Sequence, residues 1–463
     1  MATGVSKTKW AGRLVTQSQG PEPSHDSVDV RLSYHGKARE CDVLQTQPAR
    51  VCTLWTPCET PTDRWQNRLY FGDNLGILAA LLAHPSVHGQ VRLVYIDPPF
   101  STKGVFKSRS QVDAYCDLLA GAPYIEFMRR RLILLRELLA DDGSIYVHLD
   151  QTMAFHIKLI MDEVFGPNNF RSWITRKKCH NKNYTRRTYG NVSDYLMFYS
   201  KTDHYVWNRP CEPWSVDHLP KEYRYVEEGT GRRYMRVPIH APGVRNGETG
   251  KPWRGLLPPP GKHWQFPPSV LEEMDARGEI YWSPNGNPRR KVYLDESKGV
   301  PVQDIWLDML DAHNQNVEIT GYPTEKNADL LARVIEASSN AGDLVLDCFS
   351  GSGTTLVQAS RLQRRWIGID NSVEAIATTL RRFLTGSQRM GDYVAMRTAT
   401  TEQNSAQPRL PLPGLCSACA GGQAQKTLRK PIRDFGLYAS TPYNGELDAV
   451  LAEWSESGTQ GPA

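Results

Sequence analysis

Residues 343–355 read DLVLDCFSGSGTT: an apolar run, an acid, a glycine turn and the start of a helix. Such a run is a buried strand delivered into a tight turn, and the helix that follows opens with unbonded N–H groups. Few architectures accept these elements in this order, and a doubly wound, mainly parallel α/β sheet is one that does. The flanking rhythm agrees. From about residue 66 strands and helices alternate: RLYFGD, NLGILAALLAH, VRLVYI, a helix at about 122–140, a strand at 144–149, then the amphipathic MAFHIKLIMDEVFG and the strands RSWITR and DYLMFYS. The rhythm fails between about 202 and 318, where Pro, Gly, Trp and Tyr abound, and resumes with KNADLLARVIEASS, DLVLD, RWIGID and VEAIATTLRRFL.

The chain therefore divides into five parts. Residues 1–65 are a polar, partly disordered extension in which VDVRLSY (28–34) reads as a short hairpin strand. Residues 66–201 and 319–390 are two halves of one sheet, and 202–318 interrupt that sheet in sequence and not in space. Residues 391–463 form a partly flexible, Pro/Gln/Ser/Gly-rich extension. The composition, 40% hydrophobic and 23% charged over 463 residues, is that of a soluble globular chain. No apolar run reaches the eighteen or so residues of a membrane span, and the N-terminus lacks a secretory apolar core, so a cytoplasmic location is expected. Of nine cysteines only Cys416 and Cys419 are closely paired, without histidines or a second pair at ligand spacing, so no metal is expected.

What can the glycine turn bind? A P-loop needs a lysine after its second glycine, but Thr354 follows Gly353. A dinucleotide fingerprint needs a third glycine, but position 356 is Leu. A nucleoside without phosphates remains, alongside a purely structural left-handed turn. Asp370 ends the next strand, where an acid hydrogen-bonds ribose hydroxyls or merely caps the helix that follows. Asp73, in YFGDN, ends another strand. Ligands of such sheets bind beyond the carboxyl ends of the strands, which would bring Asp73, Asp347 and Asp370 to one crevice.

VRLVYI ends there too, in Asp97-Pro98-Pro99-Phe100. Its plain reading is a proline turn. A sharper one starts from the exocyclic amine of a nucleobase, a poor nucleophile because its lone pair is delocalised into the ring. Two acceptors gripping both amine hydrogens, the Asp97 carboxylate and the Pro98 carbonyl, favour the pyramidal, reactive form. Proline fixes that carbonyl and removes a competing N–H, and Phe100 can stack on the base.

Net charge is only +5, so charge distribution must carry any argument for nucleic acid. Residues 171–201 hold eight basic residues against one acid, Asp194, interleaved with Trp173, Tyr184 and Tyr189. Arg176, Lys177, Lys178, Lys182, Arg186 and Arg187 are the candidate DNA contacts, unless the loop is simply a solvated basic surface.

Together DPPF and FSGSGTT, in that order, resemble the permuted beta group of S-adenosylmethionine-dependent DNA amino-methyltransferases, most closely Type III modification subunits and their stand-alone relatives. The resemblance extends to YPTEKNADLLARVIEASSNAGDLVLD, GSIYVHLD, MDEVFGPNNF and SDYLMFYSKTD, and covers roughly residues 66–390. It implies a seven-stranded methyltransferase sheet in which RLYFGD is the third strand, VRLVYI the fourth and DLVLD the first. It implies Asp97, Pro98, Pro99 and Phe100 at the target amine. It places S-adenosylmethionine on Asp347, Phe349, Gly351, Gly353 and Thr354, with Asp370 on its ribose, Asp73 near its adenine, and Thr324 and Lys326 at its amino-acid end. Three departures stand out: Cys348 for a usual proline, EKN for QKP, and Phe100 for a commoner tyrosine. The insertion becomes the target-recognition domain, and double-stranded DNA the partner, with a homodimer and a restriction or defence subunit as further expectations. Asp at the first motif position favours adenine N6 over cytosine N4. A non-catalytic DNA-binding subunit is the reading of a different class.

Overall fold

The computed structural model describes residues 30–57, 65–99, 105–107, 113–116, 121–180, 187–214, 219–311, 322, 325–385 and 431–456. Ten strands form one sheet: β1 (Val51–Trp55), β2 (Asn67–Phe71), β3 (Val91–Ile96), β4 (Leu139–Leu149), β5 (Phe170–Lys177), β6 (Ser193–Ser200), β7 (Ile305–Trp306), β8 (Leu344–Asp347), β9 (Arg365–Asp370) and β10 (Phe435–Ser440). Their order is β1-β10-β2-β9-β8-β3-β4-β6-β5-β7. From β10 to β4 neighbouring strands are parallel, and β6 runs antiparallel between β4 and β5. β2, β8 and β3 thus stand in the places expected of the third, first and fourth strands, with β9 between β2 and β8.

Both faces of the sheet are covered, which is why its central strands read as unbroken apolar runs. Val94 and Ile96 pack with the helices Asn74–Leu82, Ala122–Leu138 and Ala154–Phe165. Leu93, Tyr95 and Trp366 face the other way, into a core shared with the helices Ala328–Ser338, Thr354–Arg361, Val373–Thr385 and Asp448–Glu456. Successive side chains of one strand point to opposite faces, so β3 serves both cores at once.

Three strands extend the expected seven. β10 inserts between β1 and β2, antiparallel to the first and parallel to the second. Its Phe435 and Leu437 are fully buried, with Trp454 beside them. Residues 431–456, within the extension read as partly flexible, therefore contribute to the core. The expected strand at 28–34 is absent from the described residues 30–34, although Leu32 and Tyr34 pack against the core. At the opposite edge β7 pairs in parallel with β5.

The insertion carries its own small core of Ile239, Trp253, Trp264, Leu271, Met274 and Ile280. Beside it lies a four-stranded antiparallel sheet built from Tyr225–Val226, Arg233–Pro238, Pro288–Tyr293 and Ile280–Trp282. The Arg236 guanidinium lies 3.5 Å from the ring centre of Tyr225 and 3.3 Å from that of Tyr281.

Candidate active site

β3 and β8 are neighbours whose connecting helices leave on opposite faces, so a crevice opens beyond their carboxyl ends. The cavity there is lined by Asp97, Pro98 and Pro99 from the end of β3, by Asp347 and residues 349–352 from β8 and its turn, and by Asp370 and Asn371 from β9. Tyr95, Tyr322, Glu325, Lys326, Leu331, Thr354 and Thr355 complete the wall.

The glycine turn is shaped by its own backbone. Gly351 (φ 50°) and Gly353 (φ 72°) both lie in the left-handed region. Asp347 accepts hydrogen bonds from the Phe349 N–H at 3.0 Å and the Thr355 hydroxyl at 2.6 Å, closing the turn across the helix start. Asp370 accepts from the Gly351 N–H at 2.8 Å and from the Ser372 N–H at 2.9 Å. Thr379 donates to the Gly351 carbonyl at 3.1 Å.

Burial pushes the Asp347 carboxyl up to about 7. Its two hydrogen bonds oppose that shift, while the nearby charges of Asp97 and Asp370 add to it. Asp370 is raised by burial too, against its backbone hydrogen bonds. Tyr95 is raised by burial and by Asp97, so its hydroxyl keeps its proton.

Asp97 is held differently. Its Oδ2 lies 2.6 Å from Lys326 Nζ, both side chains being largely buried at 17% and 10% exposure. Its Oδ1 is buried without a hydrogen-bond partner among the described residues. Pro98 is buried and Pro99 half-buried beside it.

The expected site residues do not all converge. Asp97, Pro98, Pro99, Lys326, Asp347, Phe349, Gly351, Thr354 and Asp370 line one cavity. Asp73 does not line it: its side chain caps the helix Asn74–Leu82 and pairs with Arg131 at 2.8 Å while remaining 68% exposed. Phe100, Thr324, Lys182 and Arg186 lie outside the described residues. Lys177 and Lys178 are half-buried and Arg187 is exposed.

Arg176 corrects the expectation of a phosphate contact. Its side chain is fully buried, bonded to the Met309 carbonyl, to Asp194 at 3.1 Å and to Asp311. It faces inward with Ile174, two residues earlier on the same strand, so its charge serves the fold. Burial works against ionisation of Asp194, but His148, Arg176 and Lys326 outweigh it and hold that carboxyl below the usual range. His148 bridges this group to the cavity wall, with Nδ1 2.8 Å from the Tyr95 hydroxyl and Nε2 3.0 Å from Asp194.

Other supporting residues have little local signature. Asn74 donates to the Cys348 carbonyl at 2.6 Å, tying the turn to the helix after β2. Arg382 donates to the Ser352 carbonyl at 2.9 Å and to the Thr354 hydroxyl at 2.7 Å, and pairs with the buried Glu325. Arg382 betrays itself only as a cation flanked by the apolar positions Leu380 and Phe383 of an amphipathic helix.

Comparison with known proteins decides the family. A family model described as DNA methylase matches residues 91–381, more than half of the chain. The chain belongs to the N6/N4 DNA methylases. It is 44% identical over 399 residues to the Type II methyltransferase M.EcaI of Enterobacter cloacae, spanning 85% of this chain and 87% of that one. It is 27% identical over 335 residues to the Mod subunit of the StyLTI Type III restriction-modification enzyme of Salmonella typhimurium, covering 62% of this methylase but only 49% of that subunit. Among solved structures, the cytosine-N4-specific PvuII DNA methyltransferase aligns at a TM-score of 0.37 and 15% identity, over 73% of this chain and 91% of that one. This methylase is thus a DNA methyltransferase of the restriction-modification kind, and methylases of this family use S-adenosylmethionine. Among the described residues no helix is long and apolar enough to cross a membrane, and no cluster of metal-ligating side chains occurs.

Proposed function

We propose that this methylase transfers a methyl group from S-adenosylmethionine to the exocyclic N6 amine of adenine in double-stranded DNA, with the base turned out of the helix into the cavity. The observation that carries the reading is Asp97, which lines the same cavity as Asp347 and Asp370 and whose Oδ1 is a buried acceptor without a partner among the described residues.

The residues present fit the donor. The buried Asp347, the half-buried Asp370 and a glycine turn border one cavity, with the Thr354 helix start beside them. Asp347, Phe349, Gly351, Gly353 and Thr354 would cradle the nucleoside, and Asp370 would accept from its ribose. When bound, the donor supplies an electrophilic methyl carbon whose sulfur leaves as a neutral thioether, retaining the carbon–sulfur electron pair.

The protein's share is positioning and hydrogen bonding. Asp97 Oδ1 and the Pro98 carbonyl accept the two amine hydrogens, localising the nitrogen lone pair that forms the new bond. The nitrogen then sheds one proton, and Asp97 Oδ1 is placed to take it. Aspartate at this motif position, which in the family favours adenine, supports N6 over cytosine N4. Lys177, Lys178 and Arg187, with Lys182 and Arg186, are the proposed phosphate contacts, and the 202–318 insertion the proposed reader of sequence. Soluble cytoplasmic action beside DNA, a homodimer and a restriction or defence partner belong to the same reading.

The test is expression in a methylation-free host followed by modification-sensitive sequencing, with Asp97→Ala as the control. N6-methyladenine at one short sequence, lost in the variant, is the expected result. N4-methylcytosine would overturn the base assignment. Unmodified DNA would favour a non-catalytic DNA-binding subunit.

A further inference from the structure

The tripeptide Glu325-Lys326-Asn327 leads into the helix Ala328–Ser338, and each residue has a separate anchor. Glu325 is buried against Arg382, the arginine that also holds the glycine turn. The Asn327 side chain caps the helix by accepting from the Asp329 N–H at 2.8 Å, and its amide donates to the Leu310 carbonyl at 2.9 Å. Between these two fixed neighbours Lys326 has little freedom, and its ammonium lies 2.6 Å from Asp97 Oδ2.

Among the described residues the cavity wall carries four carboxyl groups, those of Asp97, Glu325, Asp347 and Asp370, and one lysine or arginine, Lys326. Glu325 is paired with Arg382, and Asp347 and Asp370 with hydroxyl and backbone donors. Asp97 is the one whose cation partner also lines the cavity. A carboxylate turns freely about two single bonds until one oxygen is held. An ammonium on Oδ2 fixes the carboxylate plane and leaves Oδ1 as the acceptor available to an incoming N–H donor.

We propose that Lys326 is a positioning residue for methyl transfer: by gripping Asp97 Oδ2 it orients Asp97 Oδ1 toward the target amine. The inference rests on the methyl-transfer reading above and differs from the role that family resemblance implies, contact with the amino-acid end of the donor. The two roles separate kinetically. A residue acting through Asp97 governs the chemical step, whereas a residue holding the donor governs its affinity.

The test uses the full chain, tritiated S-adenosylmethionine and genomic DNA from a methylation-free host, with donor affinity measured separately by calorimetry. Lys326→Met should lower kcat about 100-fold, the order of loss produced by misplacing a reacting group. KM and Kd for S-adenosylmethionine should stay within about twofold of wild type, as expected when donor binding is untouched. Lys326→Arg, which preserves a cation on Oδ2, should recover most of the lost rate. Lys326→Gln provides the same comparison should the methionine variant fold poorly, with circular dichroism reporting the fold. A kcat unchanged in both neutral variants overturns the inference alone, as does a large rise in donor Kd at unchanged kcat. A wild-type chain that methylates no DNA overturns the reading beneath it, and the inference with it.

Discussion

Gly353 backs onto Thr379: a Cβ built on the glycine would lie 2.7 Å from both Cγ2 and Oγ1 of the threonine. The close approach explains why the second glycine of the turn has no room for a side chain, independently of any ligand. Its left-handed φ of 72° adds a second constraint. Gly353→Ala should therefore destabilise the protein by about 2–4 kcal/mol, combining backbone strain with overpacking. Adding Thr379→Ala should relieve the overpacking and leave about 1 kcal/mol of backbone strain. Urea unfolding of the two variants checks this, and a double variant no more stable than the single would remove Thr379 from the explanation.

Arg382 and Glu325 make the same turn depend on a helix far along the chain. The two side chains are 3% and 5% exposed, and the arginine also bonds Ser352 and Thr354. Removing one member of a buried pair strands the other charge, so Arg382→Met should cost about 3–5 kcal/mol. Adding Glu325→Gln should restore part of that stability but not donor affinity, because the Ser352 and Thr354 anchors stay lost. Calorimetry with S-adenosylmethionine separates the two effects; full recovery of affinity in the double variant would mean that the anchors are dispensable.

The legible part of this molecule was its local punctuation. A strand ending in an acid and two prolines, and another ending in an acid and glycines, announce themselves because period, turn chemistry and strand ends are properties of neighbouring residues. Lys326 was legible as a motif residue, but its pairing with Asp97 was not, since the two meet only through the order of β3 and β8 and the loop before the helix. β10 is hidden for a similar reason: a six-residue strand in a Pro- and Gln-rich tail has no partner in sequence, and its pairing with β1 and β2 is non-local. The burial of Arg176 does have a signal in the sequence. Read at period two, Ile174 and Arg176 share a face, and a strand face begun by isoleucine is an inward one.

Two basic residues two positions apart thus differ in burial and in role. Arg176 is buried among Asp194, Asp311 and the Met309 carbonyl, so Arg176→Met should lower stability by about 3–5 kcal/mol. Lys178 is half-buried at the end of the same segment. Lys178→Ala should leave unfolding unchanged and reduce the salt dependence of DNA binding by about one unit of slope, the signature of one lost phosphate contact. Titrating DNA at several salt concentrations measures this, and an unaltered slope would remove Lys178 from the interface.

Asp347 gives the fold a pH dependence of predictable sign. Its carboxyl is raised from 3.8 to about 7, chiefly by burial. Between those two values the native protein binds a proton that the unfolded chain does not. The stability this group contributes is therefore fully present below about pH 4 and is lost as pH rises through about 7. The loss approaches roughly 4 kcal/mol for a shift of this size. Asp347→Asn removes the ionisation while its side-chain oxygen can still accept from the Phe349 N–H. Compared at pH 5 and pH 8 by urea unfolding, wild type should lose more stability than the variant over that interval. Asp370 is raised in the same direction, so some slope should persist in the variant. Equal losses in the two proteins would show that Asp347 is already ionised across that range, its hydrogen bonds with Phe349 and Thr355 having offset its burial.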